Sequence, residues 1–247
     1  MRRITSLLAA GVAVGTCVAA FAAAASAAVM GGNVQLGQTT TPLVAPSCPT
    51  GVSSSNCTII LTRVTAIETV RDGVAYPTRV KKAGLITSFT VGISQLSSSP
   101  TTQASYIQYL NGAYGGPARV GITIMHQGPW KRGEWRWTAL TSSPMYLVQP
   151  YLGAVVQIPL ATPIAVKAGQ VVALSTPTWA PVLSIDVNSK AFAYRQSRTY
   201  NCSSPPSTNQ ALLTAGKIQN FGCNYPGTRL EYSAAEATFP LGKAPTF

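Results

Sequence analysis

The chemistry open to this chain is limited first by its single histidine, His126. A serine-type hydrolase needs a nucleophile, a base and an orienting acid brought together. The sequence contains no Gly-x-Ser-x-Gly motif, so such a triad would rest on His126 alone. This residue ends an alternating apolar pattern beside a turn, and we expect it to cap or pack rather than to act as a base.

A glycosidase needs only two carboxylates at a defined separation, so the six acidic residues are the next candidates. They are Glu68, Asp72, Glu134, Asp186, Glu231 and Glu236. We expect Asp72 to be occupied in stabilising its turn. Glu68 and Glu134 have arginines nearby that could pair with them. Glu231 and Glu236 lie an odd number of residues apart, so an unbroken strand would point them to opposite faces. The sequence favours a protein that is not an enzyme, with a secreted glycosidase-type hydrolase as an alternative.

The residue types give a metal site little support. Asp186 with Asn188 could bind calcium, but calcium takes six or more oxygen ligands and acids are few here. No Cys-x-x-Cys pair or Cys/His ligand spacing occurs, which a structural zinc would need. We therefore expect no metal and no cofactor.

Aromatic side chains make binding the better-supported class of function. Flat exposed rings can stack on sugars, and long loops are where β-sandwiches place binding surfaces. We expect exposed ligand-binding rings at Trp179, which lies between prolines, and at Tyr109 and Tyr114 in the long segment 95–117. Trp135 and Trp137 share one face at strand spacing, which favours a place in the core.

The net charge of +12 points to acidic partners, such as anionic wall polymers or membrane surfaces. Arg79, Lys81 and Lys82 form one short basic cluster, and Lys131 with Arg132 forms another. No nucleic-acid-binding motif is present. We expect a protein that binds a cell-wall glycan or an anionic cell-envelope polymer. A structural envelope protein that associates with its own copies is the second hypothesis.

The first 27 residues have the organisation of a secretory signal peptide. Arg2 and Arg3 precede a run of small apolar residues, and Ala-Ser-Ala at residues 25–27 fits the cleavage pattern. A membrane anchor and a lipoprotein modified at Cys17 are the alternatives. No later apolar run approaches the roughly 20 residues of a membrane span, so we expect a secreted, extracellular chain without a transmembrane segment. Residues 28–56, rich in Gly, Thr, Ser and Pro, are expected to be a flexible leader.

Four cysteines follow the signal segment: Cys48, Cys57, Cys202 and Cys223. An even number in an exported chain favours disulfides. Three pairings are possible. We favour Cys48–Cys57 and Cys202–Cys223, because each pair is close in sequence and encloses polar, turn-rich residues.

The candidate binding and catalytic side chains must be positioned by short apolar strands that are separated by turns. Residues 155–174 are rich in β-branched types, and we expect strands on either side of residues 167–170 to pair as a hairpin inside a sandwich. Asp72-Gly73 predicts a type I′ turn. No long helix is expected, and residues 95–117 are expected to be irregular apart from a helical turn. About ten strands predict one all-β domain over residues 57–247, an antiparallel two-sheet β-sandwich of jelly-roll type.

Four distinctive motifs occur along the chain: DGVAYPTR at residues 72–79, YGGPARV at 114–120, PTWAP at 177–181 and YPGTR at 225–229. With these motifs the chain resembles a group of secreted β-sandwich proteins from soil actinobacteria. The resemblance spans about residues 57–238 and implies secretion and a β-sandwich fold. It implies no activity and no catalytic residue.

Overall fold

The computed structural model of the chain describes residues 32–49, 57, 59–131, 134–199, 202 and 209–239. These residues form antiparallel β-strands together with one α-helix and one 3-10 turn, Gln149–Tyr151. The all-β prediction is confirmed, whereas the jelly-roll connectivity stays a prediction. The expected signal peptide, residues 1–27, lies outside the described residues.

The smaller sheet has four strands and joins the first described strand to the last. Its spatial order is β1 (Gly32–Leu36), β15 (Tyr232–Thr238), β4 (Gly84–Gly92) and β8 (Val155–Val166). All neighbours are antiparallel. Leu36, Ala234 and Phe89 lie opposite one another on successive strands, and all three are buried in the interior.

The larger sheet has nine strands. Its main path is β12 (Ile218–Phe221), β6 (Glu134–Ser142), β5 (Arg119–Lys131), β9 (Val171–Ala180), β2 (Leu61–Arg71), β11 (Ala193–Gln196) and β13 (Asn224–Pro226). Two short strands pair beside this path, β3 (Val74–Ala75) with β2 and β7 (Tyr146–Leu147) with β5. A separate two-stranded sheet joins β10 (Leu183–Ile185) to β14 (Thr228–Leu230).

Two hydrophobic clusters cover opposite faces of the larger sheet. The inner cluster contains Val172 and Leu174 of β9 together with core residues of the smaller sheet. The outer cluster contains Val171 and Ala173 of the same strand. Successive side chains of a strand point to opposite faces, so this alternation separates the two clusters. β9 is therefore buried on both sides, as its sequence predicts.

The hairpin expected in residues 155–174 is wrong. β8 and β9 belong to different sheets, so residues 167–170 cross from the smaller sheet to the larger one. β8 pairs with β4 alone and forms an edge of the smaller sheet. Its prolines, Pro159 and Pro163, lack a backbone N–H, which an edge strand tolerates and a central strand does not.

The segment expected to be irregular contains the helix α1 (Pro100–Tyr114). Ser99 is its N-cap and accepts a hydrogen bond from the Thr102 backbone N–H, and Gly115 ends it with a φ of 81°. Among the helical residues, Leu110 alone is buried. Because the helix has no broad apolar stripe, hydrophobic periodicity does not predict it.

The segment expected to be a flexible leader, residues 28–56, is part of the fold where it is described. Its first described strand, β1, pairs with β15 along its whole length. Its end is tied by the Cys48–Cys57 disulfide, and the second disulfide joins Cys202 to Cys223. Both disulfides have the predicted pairing.

Candidate functional site

Four cations gather where the turn between the two sheets meets the residues that follow β3. They are Arg79, Lys81, Lys82 and Lys167, and we call them the basic cluster. Backbone hydrogen bonds hold the two segments together, because the Val80 N–H donates to the Gln170 carbonyl at 2.8 Å and the Gly169 N–H donates to the Val80 carbonyl at 2.9 Å. The sequence alone does not assign Lys167 to this cluster, because residues 79–82 and 167–170 are far apart along the chain.

An open groove of about 610 Å³ lies beside the basic cluster. One wall is formed by β1 and residues 38–40, and the other by the β2–β3 turn and the residues after β3. The lining combines the apolar Val34 and Val74 with the phenol of Tyr76 and the cations Arg79 and Lys81. We call it the basic groove. It places positive charge next to apolar surface, a combination suited to a ligand with both kinds of group.

Tyr76 connects the basic groove to the outer face of the larger sheet. Its backbone has a φ of 47°, in the left-handed region, and its N–H donates to the Thr69 carbonyl at 2.8 Å. The Arg79 guanidinium lies 4.8 Å from the centre of the Tyr76 ring and donates to Gln127 Oε1 at 2.8 Å. Burial raises the pKa of Tyr76, against the opposing charges of Arg195 and Arg79. The phenol is therefore a neutral hydrogen-bonding group beside fixed cations.

The wall formed by residues 38–40 belongs to a longer segment, residues 37–44, which we call the strap. Asp72 fastens it from the predicted type I′ turn, in which Asp72 and Gly73 have φ values of 49° and 78°. Its carboxylate accepts hydrogen bonds from the Thr39 hydroxyl and from the hydroxyl and N–H of Thr41, the last two at 2.6 and 2.9 Å. Burial alone would raise the pKa of Asp72, but these hydrogen bonds outweigh it and hold the pKa below its usual range.

Arg71, fully buried on β2, also holds the strap. It donates to the carbonyl of Gly37 and to those of Leu230 and Tyr232, the last at 2.9 Å, and forms an ion pair with Glu68. Burial raises the pKa of Glu68, although the charge and hydrogen bond of the Arg71 guanidinium oppose this. The Arg71–Glu68 pair holds these backbone carbonyl groups in place, and neither residue is among the described lining residues of the groove.

Arg229 and Glu231 hold the other end of the strap. Arg229 donates to the carbonyls of Thr41 and Pro42 at 2.9 and 2.8 Å, and Glu231 accepts from the Val44 N–H at 3.2 Å. The Arg229 Nε and Glu231 Oε1 atoms are 3.5 Å apart. Burial lowers the pKa of Arg229 and raises that of Glu231. Charged side chains thus fix the groove wall at both ends of the strap.

The three rings predicted to bind ligand do not form one exposed surface. Trp179 is 0% exposed, and its indole N–H donates to Asn111 Oδ1 at 3.0 Å and to the Gly116 carbonyl at 3.1 Å. The prediction of an exposed ring there is wrong, because its flanking prolines mark the end of central strand β9 and α1 covers it. Tyr114 packs on the inner cluster. Tyr109 is 67% exposed and lines a separate apolar pocket of about 210 Å³.

Trp137 is buried in the outer cluster, as predicted, whereas Trp135 is only partly buried and packs against that cluster. The exposed tryptophan is Trp130, at the end of β5, with half of its surface accessible. In the sequence, Trp130 stands among Gly, Pro and basic residues, in the segment GPWKRG at residues 128–133. This composition indicates an exposed ring better than the prolines around Trp179 do.

The acids give little support to a glycosidase. Four of them are at most 3% exposed: Glu68, Glu134, Glu231 and Glu236. Asp72, the one acid among the groove's described lining residues, has its oxygens engaged by the strap. His126 is exposed on β5, so of the two expected roles, capping and packing, packing in the interior is wrong. Within the described ranges, no group of three or more His, Cys, Asp or Glu residues could hold a metal ion.

Comparisons with protein-family models, curated proteins and solved structures find no match to this chain. The resemblance to actinobacterial β-sandwich proteins therefore stays a prediction. In the part of the chain that the structure describes, no helix has the length and apolar character needed to cross a membrane.

Proposed function

We propose that the protein binds an anionic polymer, such as those of a cell envelope, in the basic groove. One observation carries this proposal. Arg79 and Lys81 line an open groove, and Lys82 and Lys167 lie on the two hydrogen-bonded segments next to them. The ion pairs Arg71–Glu68 and Arg229–Glu231 use none of these four cations. A cleft lined by one sign of charge raises the local concentration of oppositely charged ligand.

The exposure of these cations predicts how such binding behaves. Lys81, Lys82 and Lys167 are solvent-accessible, so their attraction for a polyanion is screened over about 8–10 Å at physiological salt. The groove is open rather than enclosed, which suits an extended chain passing through it. Affinity should therefore fall steeply as the salt concentration rises.

The test uses fluorescently labelled poly-glutamate as a plain polyanion, titrated with the protein at 50 and 300 mM salt. We expect the Lys81→Ala/Lys82→Ala variant to bind about fivefold to tenfold more weakly at low salt. The control variant, Lys190→Ala/Lys217→Ala, removes the same charge from exposed positions that are not among the described lining residues of the groove. Equal losses in the two variants would mean that net charge alone, and no particular site, attracts the polymer.

Self-association is the second candidate function, and the edge strand β8 favours it. Leu147, Tyr151 and Val155 are exposed near this edge. Sedimentation velocity over a hundredfold concentration range tests the idea. Oligomers that grow with concentration in the absence of polymer would favour it, and an unchanged sedimentation coefficient would oppose it.

A further inference from the structure

Trp130 leaves half of a large aromatic side chain in water. Its ring meets the Trp135 ring edge to face, with centroids 5.0 Å apart and an interplanar angle of 73°. Trp135 in turn packs on the outer cluster, so the exposed ring is supported from below. A braced, exposed indole is a rigid platform that binds with little loss of side-chain freedom.

This platform lies on the same face of the larger sheet as Tyr76 and Gln127. Trp130 is opposite Trp135 and Gln127 is opposite Trp137 in the β5–β6 ladder, and directly paired residues share a face. The Tyr76 ring lies 6.0 Å from the Trp137 ring, and Arg79 bonds to Gln127. Tyr76 and Gln127, which are both partly exposed, therefore connect the basic groove to Trp130, whereas Trp137 itself is buried.

The basic groove and Trp130 are suited to different chemical groups of a ligand. The basic groove attracts negative charge, whereas an indole face is suited to the apolar C–H face of a ring. A polymer of sugar rings that carries carboxylates supplies both groups along one chain. A polypeptide of acidic residues supplies the charge alone.

Resting on the proposed function, we infer that the natural ligand is an acidic polysaccharide that lies from the basic groove across to Trp130, with its carboxylates at the basic cluster and a sugar ring stacked on the indole. Trp130 is then a ligand-binding residue that selects sugar polymers from other polyanions.

The experiment compares polygalacturonate with poly-glutamate of similar length and charge, at one salt concentration, by isothermal titration calorimetry. We expect the native protein to bind polygalacturonate more tightly. Trp130→Ala should weaken polygalacturonate binding about threefold to tenfold and leave poly-glutamate binding unchanged. Trp130→Phe, which keeps a flat ring, should retain most of the affinity. Tyr151→Ala removes an exposed ring elsewhere, near the edge strand β8, and is the matched control.

Each outcome decides between two statements. If the Lys81→Ala/Lys82→Ala variant binds both polymers as the native protein does, the proposed function fails and this inference with it. If that variant loses binding but Trp130→Ala binds polygalacturonate normally, or both polymers bind equally, the inference about polysaccharide is overturned and the anion site stands. Circular dichroism of the Trp130 variants checks that the fold is intact.

Discussion

At the scale of single residues, Glu236 is an acid that the fold buries without a hydrogen-bond partner for its Oε1 atom among the described residues. It lies on β15 against Gly84, where a Cβ atom would come within 2.8 Å of that oxygen. Burial raises the pKa of Glu236. The absence of a side chain at residue 84 makes room for the carboxyl group, but nothing described there compensates its charge.

We predict that Glu236→Gln stabilises the protein at high pH. The folded state binds the proton of Glu236 more tightly than the unfolded chain does, so stability is lost as the pH rises above the ordinary value of 4.5. Glutamine has the same shape and cannot ionise. We expect a gain of about 0.5–1 kcal/mol in the free energy of unfolding at pH 8 and none at pH 4, measured by urea denaturation.

The matched control for this prediction is Asp186→Asn, which removes an exposed acid. Its effect at pH 8 should be close to zero. A Glu236→Gln variant that is less stable than the native protein at pH 8 but equally stable at pH 4 would mean that the carboxylate has a favourable partner.

Residue environments were the least predictable feature of this chain. Aromatic residues at strand spacing identify core positions, as Trp137 illustrates, because periodicity reports which face is apolar. The surroundings of Trp179 depend on Asn111 and Gly116, which reach it from α1 and its end. Likewise, no local pattern indicates that Arg71 is fully buried, since its partners come from both ends of the chain.

At the scale of elements, the tie between the β2–β3 turn and the strap is open to a direct test. We predict that Asp72→Asn destabilises the protein by about 1 kcal/mol at pH 7, because the carboxylate accepts hydrogen bonds from Thr39 and Thr41. Asparagine also accepts the positive φ of a type I′ turn, so the turn itself is kept. The change therefore reports on the strap rather than on the hairpin.

The pH dependence of the Asp72 variant has a definite sign. The folded-state pKa of Asp72 is lowered, so its contribution is fully present above the ordinary value of 3.8 and is lost as the pH falls further. The stability difference between native protein and variant, measured by urea denaturation, should shrink between pH 5 and pH 2.5. A difference that is the same at both pH values would exclude the charged form as its source.

The elements themselves were predicted unevenly, for a physical reason. The type I′ turn is set by two adjacent residues, Asp72 and Gly73, and β9 by its own apolar run, so local sequence suffices for both. The hairpin proposed for β8 and β9 failed because the partners of a strand are chosen by distant segments. β8 pairs with β4 and β9 with β2 and β5, across large separations in sequence.

At the scale of the whole molecule, the two ends of the described chain and its two clusters are coupled through shared sheets. β1 pairs with β15, so early and late segments stabilise each other. The inner and outer clusters share β9, whose alternate side chains enter each of them. Neither cluster can lose this strand without exposing the other, which favours a single cooperative unit. The single domain over residues 57–247 stays a prediction.

We therefore predict that both clusters unfold in one transition. Trp137 reports on the outer cluster and Trp179 on the inner one. With 5-fluorotryptophan labelling, and signals assigned through Trp137→Phe and Trp179→Phe, the two native fluorine resonances should lose intensity in parallel during urea titration. Far-UV circular dichroism should give the same midpoint. Loss of the Trp137 signal at lower urea would mean that the outer cluster opens while the inner core persists, and that the face joining Trp130 to the basic groove is a separately unfolding part of the molecule.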